Sequence, residues 1–239
     1  MNLIILAAGR SSRIFKEIGK HKCLLTINNK TLLSKIIDDS LSIGIKKILV
    51  VVGFKSNKLK QFIRTNHKKI KIINNKDYSK TDMLHSAFLA LKNLNDDIII
   101  SYSDIIYDKE ILRKIKKQKS KNILIPLKSN WKSVWEIRKK NIKKDAENLK
   151  FNNKNYLQSI GGKILKKYPK GQYMGLLYIP KNKIKKIIEI YKKEKIKKMQ
   201  ISHFLNFLIN KGFKIKIIKS KNYWYEFDDI DDYNNFKSK

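Results

Sequence analysis

Residues 3–13 read LIILAAGRSSR. An apolar run of strand length ends in three small residues, Ala7, Ala8 and Gly9, and then in Arg10 and Arg13, which flank a pair of serines. In open α/β sheets, ligands bind beyond the carboxyl ends of the strands, and this loop follows the first of them. Small residues let backbone N–H groups approach a ligand closely, and Gly9 is free to take a positive φ if the turn needs one. Such a turn forms an anion-binding concavity, and two guanidinium groups add bidentate contacts to phosphate oxygens. The stretch therefore suits a polyphosphate, the plain alternative being a surface turn with two exposed arginines. Neither G-x-x-x-x-G-K-[ST] nor G-x-G-x-x-G follows the strand, which removes the P-loop and dinucleotide readings.

The rest of the chain extends the same pattern. Apolar runs at 2–7, 46–52, 70–74, 97–102 and 121–127 alternate with helical-period segments near 31–42, 56–66, 81–94 and 108–118, as in a largely parallel sheet covered by helices. Ser56 and Asp108 stand where helix caps belong. After Pro126 the rhythm changes to shorter segments at 133–138, 145–151 and 155–160 that read as antiparallel and half exposed. Strand character returns at 173–179, followed by helices at 181–193 and 199–210, strands at 213–218 and 223–227, and a helix from about 230. The expected fold is α/β: a single Rossmann-like, doubly wound mixed sheet over residues 1–239 with a substrate-binding insertion at 128–172.

Composition limits the partners. With 239 residues, nine Gly, three Pro and no linker or fixed repeat, one domain is the simpler reading. The formal charge of +35 suggests nucleic acid, since Lys and Arg that neutralise phosphates supply most non-specific affinity. Almost all of it is lysine spread over almost every predicted surface helix, accompanied by abundant Ile and Asn, and it is read as a solvated surface and codon bias, not a nucleic-acid site. Cys23 is the single cysteine, so no internal disulfide forms and a reducing compartment suits the chain. The first apolar run is too short for a signal segment or membrane span. A cytoplasmic protein without membrane insertion is expected, and the sequence leaves a homodimer open.

In DDIIISYSDIIYD, residues 96–108, Asp104 lies just past a strand end, on the same sheet edge as residues 7–13. An aspartate there is placed to hold Mg²⁺ against a phosphate, carboxylate oxygen favouring that ion over soft metals. In YWYEFDDIDDY, residues 223–233, alternation along a strand puts Glu226 and Asp228 on one face. Asp228 to Asp232 also suit the start of the last helix.

The loop, followed by GKHKCLLTINNKTLL at 19–33, resembles the signature of the nucleotidylyltransferases, roughly L-A-A-G-x-G-x-R, then P-K-x-L, then G-K-P-L-L. Ser11 stands where glycine is usual and His21 where proline is usual. The resemblance implies the nucleotide-diphospho-sugar transferase type of fold. It makes Lys22 the lysine that contacts substrate phosphates, aided by Arg10 and Arg13, with Leu6, Ala7, Ala8, Gly9 and Ser103 bordering the nucleotide. Residues 224–233 look like the W-x-E-x-D-x-x-x-D-Y motif, which implies Asp228 as a second Mg²⁺ ligand beside Asp104, supported by Glu226.

NNKDYSKTDMLHSAFLAL, residues 74–91, resembles the Y-x-x-T-N-M-x-x-S-L pattern of the branch that activates phosphocholine and phosphonates with CTP. That places Asn75, Thr81, Asp82 and Ser86 beside the nucleotide, although Ser79, Thr81 or Asp82 also suits a helix cap. Residues 131–151 and 160–179 look like the W…R…D-x-E and I-G-x-K…G-Q-Y-M-G-L segments of cytidylyltransferases. Arg138 is expected to pair with an acidic group on the small substrate, and Asp145 and Glu147 to receive an amine or guide Arg138. Trp131 and Trp135 are expected to face a cationic headgroup or to pack beneath the insertion, and Gln172, Tyr173 and Gly175 to line the same cleft.

The resemblance implies a Mg²⁺-dependent cytidylyltransferase. A phosphate or phosphonate oxygen of a small metabolite would attack the α-phosphorus of CTP and release pyrophosphate, for surface-polymer, capsule or headgroup biosynthesis. The competing readings are a sugar-1-phosphate nucleotidylyltransferase using UTP or dTTP, and a basic nucleic-acid-binding α/β module.

Overall fold

The computed structural model describes residues 1–165, 167–196 and 198–238. β1 (Asn2–Ala7) is buried along its whole length, as a central parallel strand covered on both faces should be. After α1 (Ser12–Ile18) and a 3-10 turn at Lys22–Leu24, β2 (Thr26–Ile27) and β3 (Lys30–Thr31) form a hairpin. Its two turn residues, Asn28 and Asn29, take positive φ, which asparagine tolerates. The Thr31 hydroxyl accepts from the Ser34 N–H and caps α2 (Leu32–Ser42).

The alternation continues through β4 (Lys47–Val52), α3 (Ser56–Asn66), β5 (Lys71–Asn74), α4 (Met83–Leu91), β6 (Ile98–Tyr102), β7 (Ile105–Tyr107), α5 (Glu110–Lys117) and β8 (Ile123–Lys128). Ser56 is the first helical residue and not a cap; Lys55 precedes it in the left-handed region. The Asp108 carboxylate does accept from the Glu110 N–H.

Residues 133–138, read as a half-exposed strand, form a helix instead: α6 (Lys132–Arg138). Val134, Trp135 and Arg138 are its buried positions, a spacing that places all three on one helical face and on opposite faces of a strand. α7 (Ile142–Asp145) follows, and β9 (Leu149–Phe151) pairs antiparallel with β10 (Leu157–Ile160) as expected. The strand expected at 173–179 is broken into β11 (Gln172–Tyr173) and β12 (Leu176–Ile179) at Gly175, whose φ is +72°. A Cβ at Gly175 would lie 2.9 Å from the Tyr102 ring, so the close approach requires glycine. α8 (Lys181–Lys193), α9 (Ile201–Asn210), β13 (Ile215–Ser220), β14 (Trp224–Glu226) and α10 (Ile230–Lys237) complete the chain.

β5, β4, β1, β6, β12, β8 and β13 lie side by side in one mixed sheet, with β11 continuing β12 along the edge of β8. β1 runs parallel to both β4 and β6, and only the β11–β12 segment is antiparallel to its neighbours. Side chains alternate across the sheet: Leu3, Ile5 and Ala7 join a core under α2, α3 and α5, while Ile4, Leu6 and Ala8 join one under α4, α8 and α9. Leu6 is in register with Tyr102, so the segment after β6 emerges beside the segment after β1. Among the described residues no helix is long and apolar enough to cross a membrane.

Candidate active site

The loop after β1 is shaped by its neighbours. The Phe54 N–H donates to the Ala8 carbonyl (3.1 Å), tying the loop to the end of β4. Gly9 does not take a positive φ; that conformation falls to Ser11, at φ 51° and ψ 29°. A Cβ at position 9 would meet nothing within 4 Å and would project into open volume, so no neighbouring protein atom requires glycine there. Ser11 adopts the left-handed backbone for which the usual glycine is suited, and its hydroxyl accepts from the Lys22 N–H at 3.3 Å. His21 has φ −65°, the value a proline ring imposes, so both departures from the signature keep the backbone it specifies. A cavity of about 240 Å³ opens over this loop, bounded by Leu6, Ala7, Gly9, Arg10, Arg13, His21, Lys22, Ser103 and Asp104.

Lys22 forms the centre of the site. Its ammonium lies 3.3 Å from Asp104 Oδ2 and 3.2 Å from Asp228 Oδ1, although 22, 104 and 228 are far apart in sequence. Asp104 follows β6, and Asp228 follows β14, which pairs with β7 and carries Glu226 opposite Ile105. Burial works against the Lys22 charge, but Asp104 and Asp228 outweigh it and hold the ammonium above its ordinary value. Burial raises Asp104 more than Lys22 lowers it. Asp228 is held below its usual range, because Lys22, Arg138 and Arg13 overcome the effect of burial. Arg13 Nη2 lies 3.3 Å from Asp228 Oδ1. Burial, reinforced by Asp228 and Asp104, pushes Glu226 well above the carboxylate range.

Among the described residues no three His, Cys, Asp or Glu side chains converge as a metal-binding group, so Glu226 does not complete one. Asp104 and Asp228 nevertheless supply two carboxylates sharing one small space. Such a pair, completed by waters and substrate phosphates, is how Mg²⁺ is commonly held, so the donor set fits the ion. Burial pushes the Cys23 thiol up to about 12, which leaves no thiolate for covalent chemistry.

Beyond Lys22 the cleft widens into a second cavity of about 430 Å³ that shares Arg13, Lys22 and Asp104 with the first. Trp135, Arg138, Asp145, Glu147, Gln172, Tyr173 and Gly175 all line it, as do Glu226 and Asp228. The structure bears on two expectations for this region: Arg138 as a free partner for an acidic group, and Trp131 as either a headgroup contact or packing beneath the insertion. Arg138 is 1% exposed and already engaged: its guanidinium meets Asp145 (3.1 Å), Asp228 (3.1 Å) and Asp232 (2.9 Å), so it stands in the cleft wall paired with the chain's own carboxylates. Trp131 does not reach the cleft; it is buried, and its Nε1–H donates to the Pro169 carbonyl. The Trp135 ring does face a cation, but that cation is Arg138, 5.1 Å from the ring centroid, while its Nε1–H donates to Asp145.

Gln172 is locked by donating to the Glu147 carbonyl and accepting from the Glu147 N–H. Burial raises the Glu147 carboxyl, partly offset by a hydrogen bond from Ser202. Ser202 and Gln200, at the start of α9, and Met83 and Tyr102 also line this cavity and escaped the sequence reading. Met83 lies inside the quoted T-D-M stretch, but Gln200 and Ser202 sit in a lysine-rich segment without a distinguishing pattern.

On the other side of the loop, Leu6, Ala8, Gly9, Arg10, Thr81, Asp82 and Ser86 border a space of about 210 Å³. Asp82 also caps α4, accepting from the Met83 N–H. Asn75 is buried behind this wall, where its amide donates to Thr81 Oγ1 and Ser86 Oγ and braces them. At the chain's end the capping of α10 falls to Asp229 and Asp232, which leaves the Asp228 side chain to the cleft.

Residues 3–187 match the MobA-like NTP transferase domain. Over 250 residues the chain is 32% identical to the CTP:phosphoglutamine cytidylyltransferase of Campylobacter jejuni, with 97% of each chain covered. Among solved structures, the inositol-1-phosphate CTP transferase of T. maritima superposes with a TM-score of 0.79 at 16% identity, over 97% of this chain and 90% of that one. The CTP:phosphocholine cytidylyltransferase of Streptococcus pneumoniae gives 0.74 at 17%, over 99% and 97%. These two share the fold; the family match and the full-length relative go further, and by them the chain belongs to the MobA-like NTP transferase family and is a nucleotidyltransferase.

Proposed function

We propose that the chain transfers a cytidylyl group from CTP to a small phosphorylated or phosphonate metabolite bearing an ammonium group, with release of pyrophosphate. The observation that carries this reading is Lys22, gripped between Asp104 and Asp228 where the two cavities meet. The cytosine preference and the phosphorylated acceptor are supported by the Campylobacter jejuni relative, a CTP:phosphoglutamine cytidylyltransferase by name. The ammonium is supported by charge. On a chain of net charge +35, the acceptor cavity is lined by three basic and six acidic side chains among the described residues. Glu147 makes no ion pair among the described residues, and burial holds it above the usual carboxylate range. A cationic ligand beside it would favour its ionised form.

In this scheme the loop amides, Arg10 and Arg13 hold the triphosphate, and Lys22 faces both reacting phosphates and offsets their repulsion. The acceptor's own phosphate oxygen is the nucleophile, so rate comes from proximity and charge stabilisation. Asp104 and Asp228 would hold Mg²⁺, which when bound neutralises charge on the α-phosphate. The CMP- or CDP-linked product would serve surface-polymer or headgroup assembly.

The test is pyrophosphate release with Mg²⁺, each of CTP, UTP, dTTP and GTP, and a panel of phosphorylated amino acids, phosphoethanolamine, phosphocholine, an aminoalkylphosphonate and sugar 1-phosphates. Turnover confined to CTP with an aminated acceptor is expected. Turnover with UTP or dTTP and a sugar 1-phosphate overturns the reading.

A further inference from the structure

A third cavity, of about 560 Å³, borders α6 and shares no lining residue with the cleft. Ser133, Val134 and Ile137 of that helix face it, whereas Trp135 and Arg138 face the acceptor cavity. Its walls are aromatic: Tyr223, Trp224, Tyr225 and Phe236 all contribute, and the Tyr223 side chain is left 48% exposed at the surface. Among the described residues two lysines line it, Lys128 and Lys237, and no Asp or Glu does.

Lys128 is the telling residue. It ends β8 and is only 4% exposed. Its ammonium donates to the carbonyls of Lys221 (3.0 Å) and Asn222 (2.6 Å), which orients the group. Among the described residues no carboxylate lies within ion-pairing distance of it, and burial alone pulls its pKa below the ordinary value, with no counter-charge opposing. A buried ammonium satisfied only by two neutral carbonyls keeps one N–H and most of its charge uncompensated. Cations elsewhere in the interior are arranged otherwise: Lys22 has two carboxylates and Arg138 has three. Flat apolar walls around a few convergent polar groups are the general form of a small-molecule site.

We propose that this cavity is a second ligand site, for a small organic anion with an aromatic body, its acidic group meeting Lys128 and its ring lying among Tyr223, Trp224 and Phe236. The site is independent of the cytidylyl-transfer reading, which uses none of these residues.

Binding of indole-3-acetate, 1-naphthoate and phenyl phosphate to the whole protein, followed by calorimetry and by the indole N–H resonance of Trp224 with CTP saturating, tests it. At least one anion is expected to bind at about 1 mM or below and to shift the Trp224 resonance, with its neutral analogue (the amide, or phenol for the phosphate) weaker by about tenfold or more, as the loss of a charge-assisted hydrogen bond implies. Lys128→Met should weaken the anion by the same factor and leave the neutral analogue unchanged. Equal affinity of acid and neutral analogue for the unmutated protein, displacement of the anion by CTP, unchanged affinity in Lys128→Met, or no binding by any of the three overturns the proposal. The acid and analogue comparison needs no variant, so it decides the matter even if Lys128→Met fails to fold.

Discussion

At the scale of single residues, the signature loop shows how one backbone accepts different side chains. Ser11 holds a left-handed conformation that costs an L-residue about 1 kcal/mol, and its hydroxyl offsets part of this by receiving the Lys22 N–H. Ser11→Gly is therefore expected to be at least as stable as the natural chain and Ser11→Ala about 1 kcal/mol less stable, measured by urea unfolding. Lys22→Met should lower kcat/KM by about 10²-fold or more, because one preorganised cation facing developing charge is worth that much; activity within a few-fold of normal would remove the lysine from its assigned role. His21 adds a pH dependence. Burial among Phe15 and Phe54 pulls it below its ordinary 6.5, so it stays neutral when folded and protonates when unfolded. Its contribution to stability is thus complete above that value and is lost as pH falls below it, by up to about 1.4 kcal/mol per pH unit for one proton. Asp104, Glu147 and Glu226, raised by burial, act in the opposite sense, so the effect is read as the difference between wild type and His21→Leu across pH 7.5 to 5 by urea unfolding. A difference that does not change with pH would contradict it.

At the scale of elements, α6 connects the insertion to the end of the chain. Arg138, its last residue, reaches Asp228 and Asp232 around the start of α10 and Asp145 at the end of α7. Removing one partner of a buried charge network leaves the others uncompensated, at a cost of about 3–5 kcal/mol. Arg138→Met is expected to lose that much stability in chemical denaturation, and Arg138→Lys to recover little, since an ammonium cannot span three carboxylates in a fixed fork. The helix itself was misread from sequence as strand because polar and apolar residues alternate loosely there, and a seven-residue element is too short for either period to declare itself. What buries Val134, Trp135 and Arg138 on one face is contact with distant residues, Trp224 and Asp232 among them. Asp82 is the converse case, where its local capping role and its place on the cavity wall were both readable and both hold.

At the scale of the whole molecule, one sheet edge gathers the loop after β1, Asp104 after β6 and Asp228 after β14. The overall charge of +35 coexists with a cleft in which acidic side chains outnumber basic ones, so steering by net charge and recognition within the site run in opposite directions. Turnover is expected to stop in EDTA and return with added Mg²⁺, followed as initial rate of pyrophosphate release; an undiminished rate in EDTA would exclude a metal held by Asp104 and Asp228. Under the proposed function, in which the acceptor's ammonium meets Glu147, Glu147→Gln should raise KM for an aminated acceptor by about tenfold and leave that for CTP nearly unchanged.

The strand-loop-lysine arrangement and the order of most elements were legible in the chain itself, because each rests on short-range spacing: apolar period, small residues at a strand end, and a lysine a fixed distance on; the family was legible as the resemblance of these motifs to a known signature. Carboxylate positions 104, 226 and 228 were legible for the same reason. Tertiary structure alone decided which of these groups are already paired. Arg138 and Trp135 look available in sequence, yet folding brings to them Asp145 and Asp232, and burial makes that pairing obligatory. Ion pairing and desolvation depend on what arrives from elsewhere in the fold, and no local pattern records that.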